Sequence, residues 1–454
     1  MSTERQPYIP PKVATCGADF LSQLASVRHV RANPLKTWPR AMYEARFYRR
    51  PPMPILWVMD VDALHEIYVA RAEEFPPSKI AHRMFRPLWR NGVATSEGEE
   101  WRWQRRAAAP AFSPKAVEAI VPAARHATAH LSKLWLSPTH TPDIEDDLGD
   151  LATRVVFETL MGDGLGVDEA KFRRDARAFS LSVNAVNLAD VFQTPDWTRP
   201  LLGQTLHKPS DALRAHVAQA LAHRQSGQAG SLLDMLATAT DPETGQTITP
   251  ERLQNNITGM LPAGRDTTAN WLAWILYLIA HDLPTQERMV AEIDAVVGTA
   301  PFGAEHLEKL PFTSAVMMEA LRLFPPAAQI AREAAHDTDL GGQKVRKGMF
   351  IIIPIYAIQR HRDYWDQPDA FLPERFLPGN FDPRTHRYSF MPFGAGERIC
   401  LGMAFAKTEA LAVLVTLLQR LRVSAPEHEP PMDFTFGGVL RAKGGIRLNI
   451  APRD

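Results

Sequence analysis

The chain of 454 residues has only two cysteines, Cys16 and Cys400. Two thiols exclude a disulfide framework and a four-thiolate iron–sulfur cluster within one chain, and they make a reducing compartment the default. No surplus of charge exists either, since 51 basic residues balance 51 acidic ones. A neutral chain without a long basic run offers no broad footprint for nucleic acid or an anionic membrane. Long apolar runs are also missing: the longest, near 271–280 and 349–358, reach about half the ~20 residues that a membrane-crossing helix needs. Residues 1–12 are polar and Pro-rich and lack the apolar core of a signal peptide. There is no internal repeat and no low-complexity block. These absences predict a cytoplasmic protein without a membrane anchor.

What the chain has is 45% hydrophobic content, enough for a large core. Helical periodicity dominates, which predicts a mainly α fold with minor β, in a single domain over 1–454 with a Pro-rich entry segment at about 1–30. Residues 54–59 read as a strand, and helical patterns run from about 99 to 161. Residues 179–209 are looser, with Pro195, Pro200, Pro209 and several aromatics, and read as a mobile loop region. Residues 225–230 read as a turn. A long helix should begin at Thr249 as cap, with Pro250 in the first position and Glu251 at the positive end. Pro262 should kink it. A second helix is expected over about 312–324, a strand at 349–354, a last helix over about 400–422, and a hairpin over 434–450.

Residues 391–402 read MPFGAGERICLG. Gly394 and Gly396 free the backbone for a tight loop. Cys400 then stands where an amphipathic helix should begin, and exposed backbone donors there favour a thiolate. A thiolate is what a soft axial ligand to haem iron requires. Arg398 can meet an anionic propionate, and Phe393 can pack under the loop and shield the sulfur. A lone cysteine is more often a small buried hydrophobe, but Phe393, Gly396, Arg398, Cys400 and Gly402 together make a far more restrictive pattern. Elsewhere, Glu319 and Arg322 share one helix face. Trp101 and Arg105 stand one helical turn apart, with Trp103 and Arg106 as a rival register. Residues 263–268 read AGRDTT, placing Gly264, Asp266 and Thr267 in the middle of an apolar helix, where a buried carboxylate needs partners. There Ala263 and Gly264 would let the helix approach a flat cofactor.

The glycine–cysteine segment resembles the signature of the cytochrome P-450 family at each fixed position. Glu319–Arg322 resembles that family's E-x-x-R motif and 373–376, Pro-Glu-Arg-Phe, its P-E-R-F segment. By resemblance Arg375 joins Glu319 and Arg322 in a buried structural network. Trp101–Arg105 resembles the family's W-x-x-x-R, a register favoured by the Ala-Pro-Ala-Phe at 109–112, and both side chains would then face a haem propionate. Arg332 is a further propionate candidate. Residues 263–267 resemble the family's segment of small residue, Gly, any residue, acid and Thr. The resemblance covers about 50–450. It implies the P-450 fold, a long central helix over haem b (iron protoporphyrin IX) and a Cys-ligand loop beneath it, with Cys400 on the metal. It implies insertion of one atom of O2 into a hydrophobic organic substrate, with Asp266 and Thr267 serving proton delivery. The alternatives are a peroxide-using relative and a haem-binding sensor without turnover, both disfavoured by the acid–alcohol pair.

Too little chain follows Cys400 for a fused reductase, so electrons are expected from a separate ferredoxin or flavodoxin with its reductase, docking near Arg105, Arg106, Arg398 and Lys407 on a monomer. By resemblance the substrate pocket draws on 80–88, a lid at 179–197, 260–267, 327–330 and 436–439, with Arg83 and Asn184 as polar contacts.

Overall fold

A computed structural model of the chain describes residues 6–17, 22, 25–29, 32–50, 54–161, 168–183, 207–223, 232–381 and 387–453. Ten longer helices form its frame: α1 Lys79–Trp89, α2 Gly98–Ala108, α3 Ile120–Trp135, α4 Ile144–Met161, α5 Glu169–Val183, α6 His207–His223, α7 Pro250–His281, α8 Leu283–Val296, α9 Pro311–Leu323 and α10 Met403–Leu418. Among the described residues no helix is long and apolar enough to cross a membrane.

The central element is α7. Thr249 caps it by accepting from the Arg252 N–H at 3.3 Å, and Pro250 occupies the first position, where the missing donor costs nothing. Its 32 residues span about 48 Å at ~1.5 Å per residue. The helix continues through Pro262, so the proline does not end it. Most of its side chains are buried on several sides, against α4, α5, α6, α9 and α10. Two glycines permit close approach. A Cβ on Gly259 would meet the Trp89 ring of α1 at 2.1 Å, and one on Gly264 would meet Val156 of α4 at 3.0 Å. The Cβ direction of Gly264 thus faces α4, while the residue itself stays half-exposed.

The main sheet has the order β1–β2–β6–β3, from Phe47–Arg49, Ile55–Val58, Phe350–Ile353 and Ile330–Glu333, with β2 and β6 parallel. β4 Thr338–Leu340 and β5 Gln343–Val345 form a small hairpin. The C-terminal region differs from its sequence reading. β8 Phe434–Phe436 and β9 Leu440–Ala442 form a hairpin, but β10 Asn449–Pro452 leaves it to pair with β7 Leu421–Ser424. The last helix is shorter at both ends than expected, and nearly every residue from Thr408 to Leu418 is buried. It is thus a core helix, buried on every face over that stretch, rather than an amphipathic one. Residues 179–183 belong to α5 and 207–209 to α6; residues 184–206 of the predicted loop, with Asn184, Pro195 and Pro200, lie outside the described residues, as does the turn at 225–230.

Candidate functional site: a cysteine loop facing the central helix

The loop before α10 is shaped by two left-handed glycines, Gly394 (φ 75°) and Gly396 (φ 69°). A Cβ on Gly396 would stand 2.3 Å from the Tyr68 carbonyl oxygen, so no other residue fits there. The Cys400 N–H donates to the Phe393 carbonyl at 2.9 Å and closes the loop. Helix α10 starts at Met403, with Gly402 as its cap. Cys400 therefore sits in the turn ahead of the helix instead of in its first turn, and the helix dipole acts on it less directly than expected.

Cys400 is a free thiol whose surface is accessible, yet burial pushes its pKa up. A Gly402 N–H hydrogen bond and the charge of Arg105 act in the opposite direction, toward thiolate. A Cβ on Gly402 would meet nothing within 4 Å. Phe393 lies edge-on to Trp271 of α7 at 6.1 Å, which brings the loop against the central helix.

One to three turns before Trp271, that helix shows an open stripe. Ala263 is exposed and Met260, Gly264 and Thr267 are half-exposed, although most neighbouring side chains are buried. The Thr267 hydroxyl donates to the Ala263 carbonyl at 2.7 Å, which leaves its oxygen lone pairs as acceptors. Thr268 is buried. Asp266 is also buried. Its Oδ1 accepts from Arg265 Nη1 at 2.6 Å and from Ser180 Oγ at 2.8 Å, and lies 3.2 Å from Arg441 Nη2.

Three arginines surround the cysteine loop. Arg105 Nη2 donates to the Ile399 carbonyl at 2.8 Å. Arg398 lies over the Trp101 ring at 4.3 Å and donates to the Ser96 carbonyl at 2.8 Å. Arg332, 8% exposed in β3, lies over the Tyr68 ring at 5.4 Å, and its Nε has no hydrogen-bond partner among the described residues. Burial lowers all three, and Arg398 falls to about 10 with Arg332 and Arg105 repelling it and Glu97 and Glu397 partly compensating. Such mutually repelling, desolvated cations fit a ligand that brings its own carboxylates. His82 adds to this group: its Nε2 is 3.4 Å from Glu97, while burial, Arg398 and Arg86 lower it. No motif marked His82 or Tyr68, because their relation to the arginines arises only on folding.

The rival register of α2 faces elsewhere. Trp103 Nε1 donates to Glu100 at 3.2 Å, and Arg106 is held by Asp241 at 2.7 and 2.8 Å. Arg106 is thus engaged, Arg105 and Arg398 turn inward, and Lys407 lies 5.8 Å over the Phe393 ring. The four cations predicted to receive an acidic partner do not form one free surface patch.

Behind the loop, Glu319 and Arg322 form a bidentate pair at 2.7 Å and 2.7 Å with no exposed side-chain surface. Arg322 also donates to the carbonyls of Gln359, Pro368 and Ala370 at 2.8, 2.7 and 2.9 Å. Arg375 Nε is 3.5 Å from Glu319 and its Nη2 donates to the Gln367 carbonyl. Gln359, which carried no sequence signal, donates to the Leu321 and Arg322 carbonyls and accepts from Met391 N–H at 3.1 Å. It is the link between this network and the cysteine loop.

The family described as Cytochrome P450 matches residues 41–450. A relative from Streptomyces melanosporofaciens named "Cyclooctat-9-en-7-ol 5-monooxygenase" is 31% identical over 344 residues, covering 74% of each chain. "Cytochrome P450 4V2" of Homo sapiens is 26% identical over 441 residues, covering 90% of this chain and 83% of its own. The solved heme domain of cytochrome P450DA superposes with a TM-score of 0.76 at 24% identity, covering 88% of each chain, a likeness of fold. The chain belongs to the cytochrome P450 family. It is a haem-thiolate monooxygenase, an oxidoreductase.

Proposed function

We propose that this single-domain chain inserts one oxygen atom of O2 into a hydrophobic organic molecule, using haem b whose iron the Cys400 sulfur would hold. The observation that carries the reading is the accessible Cys400 sulfur in a loop ringed by the buried Arg332 and the half-buried Arg105 and Arg398, none of which forms an ion pair among the described residues. Haem, when bound, supplies the oxygen activation. Arg105, Arg332 and Arg398 would hold its carboxylates, with the Trp101 ring supporting Arg398. Phe393 shields one side of the loop, and Gly402 with Ala263 leave room for a flat group.

Thr267 faces the open stripe with its proton committed to Ala263. Its oxygen therefore accepts, and it orients whatever proton donor enters. Asp266 is the nearest acid along the helix and takes protons from the solvent side, once its contacts with Arg265, Ser180 and Arg441 loosen. Substrate specificity rests on half-exposed side chains of α1, on Met260 and Ala263, and on Gln329 and Ile330. The relative named for cyclooctat-9-en-7-ol supports a mainly apolar substrate. Electrons come from a separate ferredoxin or flavodoxin, and the protein works as a cytoplasmic monomer.

The test is spectral. Cys400→Ser should abolish the red-shifted band of the reduced carbon monoxide complex, and Cys16→Ser should preserve it. Loss of the band in Cys16→Ser alone would overturn the assignment.

A further inference from the structure

Beyond its open stripe the central helix carries a row of oxidisable rings. Trp271 stands one turn past Thr267 and meets the cysteine loop at Phe393, edge-on at 6.1 Å. Trp274 follows on the next turn, and residues three apart share a helix face. Tyr277 comes one turn later, its ring 5.6 Å from Trp274, and His281 ends the row 4.2 Å from Tyr277. Trp271, Trp274 and Tyr277 are buried, whereas the outer end of the row opens. There the half-buried Tyr8, from the entry segment, stacks on His281 at 5.4 Å, and its hydroxyl donates to that of Tyr277 at 3.4 Å. His281 Nε2 lies 2.8 Å from the half-buried Glu429.

Rings at helical spacing are ordinarily core packing. Two observations set this row apart. Each indole N–H donates to a carbonyl, Trp271 to Met317 at 2.9 Å and Trp274 to Leu440 at 3.3 Å. Such an acceptor steadies an indole that has lost an electron, because a charged donor bonds more strongly. Lysine and arginine also keep away from the row. Arg398 lies over Trp101, Arg332 over Tyr68, Lys407 over Phe393 and Arg360 over Phe324, and among the described residues none lies over Trp271, Trp274 or Tyr277. A positive charge above a ring raises the cost of taking an electron from it. Trp101 and Tyr68 are therefore poor electron donors, and the row on α7 is not.

We propose that Tyr8, Tyr277, Trp274 and Trp271 form a route by which single electrons reach the haem site from the surface when an oxidising equivalent is left there without substrate. The inference rests on the reading of the Cys400 site given above. Electron transfer weakens steeply with distance, so short steps between oxidisable rings outrun one long step. Hydrogen peroxide takes two electrons and two protons to become two waters. Each passage moves one electron inward from Tyr8, whose O–H proton leaves to solvent, so two passages supply both electrons and release both protons. A reductant of the ascorbate class returns one hydrogen atom to the Tyr8 phenoxyl after each passage. The net change is one peroxide and one ascorbate to two waters and dehydroascorbate.

The experiment uses haem-loaded protein and hydrogen peroxide, without organic substrate. The reduced carbon monoxide band first shows each variant to be folded and loaded. Electron spin resonance of rapidly frozen parent should show a phenoxyl radical that narrows with ring-deuterated tyrosine, and peptide mass spectrometry should find Tyr8 oxidised. Tyr8→Phe keeps the stack on His281 and should slow peroxide-driven ascorbate oxidation and hasten haem bleaching. Trp274→Phe keeps a ring against Phe324 and should lose the oxidation of Tyr8, although Tyr8 itself is intact. Trp271→Phe makes the same test one step nearer the site. Trp103→Phe, an indole change outside the row, should retain it. Unchanged Tyr8 oxidation in Trp274→Phe and Trp271→Phe, its loss in Trp103→Phe as well, or a radical confined to Trp101 or Tyr68 overturns the inference. A parent with the carbon monoxide band but no protein radical overturns the route alone, whereas a parent without the band overturns the reading beneath it.

Discussion

Arg322→Ala probes the network behind the cysteine loop. The side chain removed is fully buried and makes two bonds to Glu319 and three to the carbonyls of Gln359, Pro368 and Ala370. Breaking a buried ion pair by deleting one member costs about 3–5 kcal/mol. Each carbonyl left without its donor adds roughly 1 kcal/mol or more. The terms do not add strictly, because Glu319 still accepts from Leu372 N–H at 2.9 Å and lies 3.5 Å from Arg375. A loss of about 5 kcal/mol remains a fair expectation, comparable with the whole stability of many domains, ~5–15 kcal/mol. Denaturant midpoint and haem content of purified protein are the assay. Arg322→Ala should give little haem-containing protein, and Arg322→Lys, which keeps the charge without the fork, should fall between. A midpoint and haem content equal to the parent's in Arg322→Ala would refute the buried-pair argument.

Other perturbations separate structure from chemistry. Thr267→Ala should leave spectra near normal while raising the hydrogen peroxide released per donor consumed; if coupling to product is unchanged with a good substrate, Thr267 is not the oxygen-side hydroxyl. Gly259→Ala should destabilise by about 1–3 kcal/mol or more, since its Cβ would overlap the Trp89 ring at 2.1 Å; an unchanged melting temperature would show that α1 can retreat freely. Glu409 is fully buried in α10 with neither oxygen partnered among the described residues, and burial raises its pKa well above the ordinary value. The folded state then holds a proton that the unfolded state releases, so stability falls as pH rises from the unfolded pKa, by up to about 1.4 kcal/mol per pH unit. Glu409→Gln should remove that slope, so its melting-temperature advantage should grow from pH 5 to 8; parallel curves would sink the argument.

The family and the mainly helical fold were legible because a short-range pattern carried them. The spacing of Phe393, Gly396, Arg398, Cys400 and Gly402 records local demands, and Gly396 shows one directly, since its left-handed backbone and the Tyr68 carbonyl exclude a side chain. The start of α7 was legible for the same reason, as Thr249 and Pro250 act within one turn. Elements whose ends depend on distant partners were read less well. The residues at 449–452 look like the return arm of the 434–442 hairpin, yet they pair with 421–424. Helix α10 looked amphipathic, but it is buried beyond its first turn, chiefly against α3 and α7, which are remote in sequence.

The sequence by itself determined the candidates: the cysteine, its glycines, the acid–alcohol pair, Glu319 with Arg322, and the arginines. Most are singled out by spacing along one turn or one helix face, which covalent geometry fixes. Tertiary structure alone decided what they meet. It chose Trp101 and Arg105 over Trp103 and Arg106 by bringing Ile399 and Arg398 to one face of α2. It turned Gly264 toward Val156 and left Ala263 facing the open stripe. It joined Gln359 to Met391 across the fold, and it brought Arg441 to 3.2 Å from Asp266. Contacts between residues far apart in the chain depend on how helices pack and on which buried charges must be balanced, and no local spacing encodes either.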